Sequence, residues 1–342
     1  MAEPLAVAEV ALEARNLSKH FPVGGGSMWS LGRRQLLRAV EDVSFALRPG
    51  HITAVVGESG SGKSTIARML THLYAPTDGS IMLGSQNATR IRGRRETRRY
   101  RSEVQMIFQD PFGSLNPVKR VAHHIERPLR IHRIVPSGRV HERVVELLES
   151  VGLVPADEIA RKYPHELSGG QQQRVAIARA LAVEPKVLLA DEPISMLDVS
   201  IRLGILNLML DLKEKRRLAF LYITHDIASA RYVADEILVM YAGQVVEQGP
   251  TDTVLQDPQH PYTKLLLSAV PDPDAPARPP FVSRRRDARG GADLRACRFV
   301  DRCPVGIAPC STVAPRQTAT AGDHVVRCHL HDPELLAREG RT

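Results

Sequence analysis

The sequence predicts an α/β protein interrupted by a helical insertion, and three observations carry that reading. Residues 51–56 form a short apolar run that ends in a Gly-rich loop and gives way to a helical pattern over 63–73. Over 118–153 apolar residues recur at helical spacing, with Val144, Leu147, Leu148 and Val151 on one face and no strand signal between them. Strand and helix then alternate again from 187 to 234.

Taken in order, the chain opens with a β-rich segment over 12–21. Gly24, Gly25 and Gly26, with Trp29 and Arg33, read as a loop inserted between strands, and a second strand follows over 40–47. A strand over 104–108 precedes a helical subdomain at about 118–180. Beyond it come a strand at 187–190, a helix at 199–215, a strand at 218–224 and a helix at 227–234. Pro271, Pro273, Pro276, Pro279 and Pro280, followed by Arg284, Arg285 and Arg286, break regular structure and mark a linker. The expected division is a main domain over 1–270 and a small extension over 271–342 that holds all four cysteines.

The 342 residues and 43% apolar content suffice for one large domain with an appendage. Apolar runs such as 187–190 and 218–223 fall far short of the roughly 20 residues a membrane-spanning helix takes. Glu3, Glu9 and Glu13 stand where a secretory signal would carry a basic leader, so the expected compartment is the cytosol. The net charge of +8 fits either a nucleic-acid binder or a protein resting on an anionic membrane surface. Much of the excess lies in Arg90, Arg92, Arg94, Arg95, Arg98, Arg99 and Arg101, which read as a solvated face.

Gly57-Glu58-Ser59-Gly60-Ser61-Gly62-Lys63-Ser64-Thr65 fits the P-loop pattern in full, between a strand and a helix as that pattern requires. The glycines let successive amides turn toward phosphate oxygens, Lys63 supplies a mobile positive charge, and the Ser64 hydroxyl is a magnesium ligand. A second half that includes an apolar strand ending in Asp191 and Glu192 narrows the chemistry. Asp191 suits the magnesium shell, and Glu192 suits a general base that polarises the attacking water. Leu167-Ser168-Gly169-Gly170-Gln171 then opens the helical run 175–181 as a second Gly-rich, anion-ready helix start.

Leu167 to Gln171 resembles the signature of the ABC ATPases, and the remaining family motifs follow in register: Gln109, Ser195-Met196-Leu197-Asp198 and Thr224-His225-Asp226. The resemblance implies an ABC nucleotide-binding domain, with a RecA-like P-loop core, an antiparallel β subdomain and a helical subdomain. It implies that Gln109 senses magnesium and a transmembrane partner, that Asp198 communicates across a dimer, and that His225 holds the γ-phosphate and attacking water. It further implies that Ser168, Gly169, Gly170 and Gln171 close on ATP bound by a second subunit. Phe21, in Lys19-His20-Phe21-Pro22, is the aromatic expected to stack on adenine. Met196 departs from the family, which usually has alanine there.

Within the family, 108–117 (Phe-Gln-Asp-Pro-Phe-Gly-Ser-Leu-Asn-Pro) and 260–266 (His-Pro-Tyr-Thr-Lys-Leu-Leu) resemble the ATP-binding subunits of dipeptide and oligopeptide importers, a similarity running from about 12 to 329. That resemblance implies ATP and Mg2+ as ligands and a related second ATPase chain, two permease subunits and an extracytoplasmic substrate-binding protein as partners. It implies a place on the cytoplasmic face of the cell membrane. Nickel, glutathione and sugar importers share the same motor, and no residue here separates the cargoes. A soluble ABC ATPase acting on nucleic acid is the rival. About a hundred residues separate Lys63 from Ser168 with no sustained heptads, and there is one cassette rather than two, so no nucleic-acid partner is expected.

Cys297, Cys303, Cys310 and Cys328 are separated by five, six and seventeen residues. In a reducing compartment a cluster of four points to ligands rather than disulfides. Thiolates suit an iron–sulfur cluster or zinc. The importer resemblance implies a [4Fe-4S] cluster in some members, and the residues leave that cluster, zinc and metal-free thiols open.

Overall fold

A computed structural model describes residues 9–23, 35–269 and 295–338 of the chain. The expected loop at Gly24 to Arg33 and the Pro-rich and Arg-rich linker lie outside these residues. Along the chain the elements are β1 (Leu12–Val23), β2 (Gln35–Leu47), β3 (Ile52–Val56), α1 (Lys63–Leu70), β4 (Asp78–Leu83), β5 (Gln86–Asn87), α2 (Arg94–Glu103) and β6 (Val104–Ile107). There follow α3 (Pro111–Ser114), α4 (Val121–His132), α5 (Val140–Ser150), α6 (Ala156–Arg161), α7 (Gly169–Leu181), β7 (Val187–Asp191), α8 (Val199–Arg216) and β8 (Ala219–Thr224). The last are α9 (Ile227–Val233), β9 (Glu236–Tyr241), β10 (Gln244–Pro250), α10 (Thr251–Gln256), α11 (Pro261–Ser268), β11 (Thr318–Ala321), β12 (His324–Val326) and α12 (Pro333–Arg338).

These elements gather into two compact units. One takes the described residues up to Leu17 with 44–52 and 64–224; the other takes 18–43, 53–63 and the described residues from His225 onward. In the first unit β6, β7 and β8 run parallel, with Val104 opposite Val187 and Val187 opposite Ala219. Every residue of β7 and β8 is buried, as expected where a parallel sheet is covered on both faces. The helical insertion is α4 to α7. Val121, Ile125 and Leu129 of α4 and Val140, Val144, Leu147 and Leu148 of α5 are buried at helical spacing. Arg179 of α7 donates to the Ser114 carbonyl at 2.6 Å, tying the insertion to the segment after β6.

The arginine run forms α2. Its arginines are exposed, and Tyr100 is its buried residue. The Tyr100 hydroxyl donates to the Leu70 carbonyl at 2.5 Å and its ring stacks on His72 at 4.2 Å. Polar all round except for that tyrosine, α2 carries no apolar stripe in the sequence.

In the second unit β3 lies parallel to β9, with Thr53 opposite Glu236, and β9 turns back into antiparallel β10. The turn residues Ala242 and Gly243 both have positive φ, at 47° and 85°, the geometry of a tight hairpin whose twist matches its strands. The C-terminal extension continues this sheet: β12 pairs antiparallel with β10, Glu247 opposite Val326, and β11 pairs with β12. Phe299 is buried edge-on to Tyr241, with ring centroids 5.1 Å apart at 86°.

A fully buried carboxylate holds this joint. Glu247 of β10 accepts from the Gln259 amide at 2.6 Å, the His260 amide at 3.0 Å and bonds His324 Nε2 of β12 at 2.8 Å. Its satisfied oxygens make the burial tolerable; removing it strands a buried histidine and two amides. Glu247→Ala is therefore expected to lower unfolding stability by about 3–5 kcal/mol, checked by urea unfolding followed by circular dichroism.

Candidate functional site

The loop after β3 is shaped by what surrounds it. Gly57 has φ 152°, and a Cβ there would lie 2.2 Å from the Met240 carbonyl oxygen; Gly62 has φ 105°, and its Cβ would lie 2.2 Å from the Ala39 carbonyl oxygen. Only glycine lets the backbone pass this close to β9 and β2. Between them the Gly243 amide donates to the Ser61 carbonyl at 2.9 Å, and the tip at Ser59 and Gly60 is exposed. Lys63, buried at the start of α1, donates to the carbonyls of Gly57 at 2.7 Å and Glu58 at 2.8 Å. The loop thus forms a curl of backbone closed by one ammonium group.

Ser64 and Thr65 follow on α1, both half-buried. In the first unit, β7 delivers Asp191, buried, whose Oδ1 accepts from Ser64 Oγ at 2.9 Å. Glu192 departs from the strand with φ 47°, a left-handed turn that costs a non-glycine residue roughly 1–2 kcal/mol. Its amide still donates to the Ile223 carbonyl at 2.9 Å, so the backbone stays on the sheet while the side chain swings aside. The Glu192 carboxylate accepts from Gln109 Nε2 at 2.9 Å. Two adjacent acids therefore face different partners, one a hydroxyl and one an amide.

Ser168 caps α7. Its Oγ accepts from the Gln171 amide at 3.3 Å while Gln171 Oε1 accepts from the Ser168 amide at 3.1 Å, a reciprocal capping box. A Cβ on Gly170 would stand 2.5 Å from Ile201 Cγ2 of α8, and one on Gly169 would meet Phe112 at 3.3 Å, so packing asks for small residues at this helix start. Asp198 precedes α8 and is exposed, without a side-chain capping bond; Met196 beside it is 56% exposed. His225 is exposed directly after β8, where Asp226 caps α9 by accepting from the Ala228 amide at 3.0 Å. Phe21 is half-buried on β1, with Lys19 Nζ 5.2 Å from its ring centre.

The structure therefore brings together Ser64 with Asp191 and Gln109 with Glu192. Two residues that sequence motifs did not place at the phosphate site touch the loop: the Glu58 amide donates to Tyr262 Oη at 2.9 Å, and the Glu58 carboxylate meets Arg302 at 2.8 Å. Tyr262 lies in the His-Pro-Tyr segment that carried the importer resemblance, and Arg302 had no signal in the sequence.

Cys303, Cys310 and Cys328 are buried and Cys297 half-buried in the extension, with the Cys297 amide donating to the Cys310 carbonyl at 2.9 Å. Burial, and then the neighbouring thiols, push Cys297 up to about 11 and Cys328 up to about 12, so both are protonated near neutrality. Among the described residues no group of three or more His, Cys, Asp or Glu side chains is arranged to hold a metal ion. Cys297 interacts electrostatically with Cys303 and Cys310, and Cys328 with all three of the others.

Comparison with known proteins accounts for the order of these features. The family model described as ABC transporter matches residues 40–195, and the model described as oligopeptide/dipeptide transporter, C-terminal region, matches 246–310. The oligopeptide transport ATP-binding protein AppF of Bacillus subtilis is 40% identical over 331 residues, covering 94% of this chain and 98% of that one. The chain belongs to the peptide-transporter group of ABC ATP-binding subunits. The di/tripeptide transport ATP-binding protein DppF of Pseudomonas aeruginosa is 41% identical over 96% of this chain and 99% of its own. Among solved structures, the ABC cassette MJ0796 bound to ADP and Pi in a dimeric post-hydrolysis state superposes with a TM-score of 0.61 at 28% identity, covering 70% of this chain and 98% of that one. The ABC subunit described here is accordingly an ATPase with the cassette fold.

Gly62→Ala is expected to abolish measurable ATP binding while leaving the helical content intact, since the added methyl collides with backbone rather than with a side chain that can yield. Equilibrium nucleotide binding and circular dichroism on the same preparation check this.

Proposed function

We propose that this ABC subunit drives uptake of dipeptides or oligopeptides by hydrolysing ATP for partner permease subunits, fed by an extracytoplasmic binding protein. Its relatives are named for oligopeptide and di/tripeptide transport, and one, GsiA of Escherichia coli, for glutathione import, at 47% identity over 77% of this chain and 41% of its own length. No helix among the described residues is long and apolar enough to cross a membrane. A second, related ATPase chain and a seat on the cytoplasmic face of the membrane complete the reading.

The observation that carries the chemistry is the divergence of Asp191 and Glu192. Asp191 and Ser64 offer two oxygen donors 2.9 Å apart, a set that fits the hard, oxygen-preferring Mg2+. Magnesium bound there supplies charge neutralisation on the phosphates. Lys63 and the amides of Gly60, Gly62, Ser64 and Thr65 bind phosphate oxygens, and Phe21 offers its ring to the adenine. Glu192 takes up the proton of the attacking water, with Gln109 orienting its carboxylate until ATP is in place; His225 positions the γ-phosphate. Ser168, Gly169, Gly170 and Gln171 act on ATP held by the second chain, and Asp198 reports closure across the dimer. Holding these groups in advance, rather than covalent chemistry, lowers the barrier.

Glu192→Gln keeps the Gln109 contact within reach but removes the base. It is expected to leave ATP binding near wild type and to cut hydrolysis by roughly 10²–10⁴-fold. Steady-state phosphate release and equilibrium binding measure the two separately, and hydrolysis near the wild-type rate sinks the assignment.

The four cysteines carry a finer reading, a [4Fe-4S] cluster with zinc as the alternative. Its support is donor chemistry alone: four thiols within electrostatic range in one short extension. Anaerobic purification that yields broad visible absorption and about four irons per chain supports the cluster; a colourless, iron-free protein with the same ATPase activity removes it.

A further inference from the structure

Glu58 is the second residue of the phosphate loop, and each of its polar groups is held by a side chain. Its amide donates to Tyr262 Oη at 2.9 Å, and its carbonyl accepts from Lys63 Nζ at 2.8 Å. Its carboxylate receives a fork from Arg302, with Nη1 to Oε2 at 2.8 Å and Nη2 to Oε1 at 2.9 Å. Arg302 comes from the extension, 244 residues further along the chain.

A lone surface ion pair contributes about 0–1 kcal/mol and would mean little here. This one differs in three respects. The Arg302 side chain is only 19% exposed. Its guanidinium lies over the rings of Tyr241 at 5.6 Å and Phe299 at 5.8 Å, which fix its plane. The turn that carries it is docked as well: the Arg302 amide donates to the Phe299 carbonyl at 3.0 Å, and the Arg298 guanidinium donates to the Ala242 carbonyl. The two-pronged geometry sets orientation, which a single lysine charge cannot do.

We propose that Arg302 is a positioning residue for ATP binding: with Tyr262 it clamps Glu58 and so sets the first turn of the phosphate loop from the C-terminal extension. A loop whose amides are to meet phosphate has few backbone bonds of its own, and the clamp replaces them. The extension is on this account a strut of the nucleotide site and not only an appendage. The inference rests on the reading of 57–65 as the ATP-binding loop.

The test is a double-mutant cycle on the full-length chain with Arg302→Ala, Arg302→Lys, Glu58→Gln and the double variant Arg302→Ala with Glu58→Gln. It reads equilibrium MgATP binding, KM and kcat, with thermal melting alongside. Each single variant is expected to weaken ATP binding and raise KM by roughly 3- to 10-fold with kcat little changed. Arg302→Lys should recover only part of the loss, and the double variant should be no worse than Arg302→Ala. If Arg302→Ala melts early, Glu58→Gln decides, because it leaves the extension's packing on Tyr241 and Phe299 in place: the same loss of affinity supports the clamp, and wild-type affinity overturns it. Wild-type affinity in a well-folded Arg302→Ala, or losses that simply multiply in the double variant, overturns it too. A wild-type chain that binds no ATP overturns the reading of the loop itself, and the clamp with it.

Discussion

Backbone amides that are to face a phosphate cannot also be spent on a sheet ladder or a helix, so the segment from Gly57 to Gly62 has to be shaped by its neighbours. The close passes beneath Met240 and over Ala39 do part of this by excluding any side chain at two positions. The rest is done by single polar contacts: Gly243 on Ser61, Lys63 on the two carbonyls, Tyr262 on the Glu58 amide. These come from β9 and the turn after it, from α1 and from α11. Elements distant in sequence therefore help determine whether the motif has its shape.

The end of β7 solves a different problem. Two adjacent carboxylates of like charge repel, and a continued strand would throw them to opposite faces of the sheet. The left-handed residue at Glu192 turns the second acid aside instead, at a local cost that the buried parallel strands on either side absorb. Asp191 is left in a buried, hydroxyl-lined place and Glu192 in a more open one beside Gln109.

What was legible in the sequence follows the same division. The motifs were readable because phosphate chemistry dictates residue type and spacing locally: glycines at fixed intervals, a lysine, a hydroxyl, then an apolar strand ending in acids. The core strands and the insertion were readable from periodicity, with small shifts at the ends, as where β2 begins at Gln35 rather than at 40. Several of the elements that went unseen had weak local signals. The short β4 and β5 pair over only a few residues, α2 is polar apart from Tyr100, and β11 and β12 become strands only by adding to β10. Arg302 was invisible for a related reason, since an arginine between an aspartate and a cysteine acquires its meaning from Glu58, which no window of sequence contains. The cysteines gather in one short extension within electrostatic range of one another, a proximity that their spacing alone did not fix.

The distance along the chain between Glu58 and Arg302 also bears on the order in which the molecule is made. Contacts between residues far apart in sequence must close a long loop and so form late, after locally connected structure. Ser64 waits 127 residues for Asp191, and Glu58 waits 244 for its guanidinium partner. A nascent chain therefore carries the complete phosphate motif long before it carries the arginine that steadies it. The phosphate loop is thus spelled out on the ribosome well before the site it belongs to is finished.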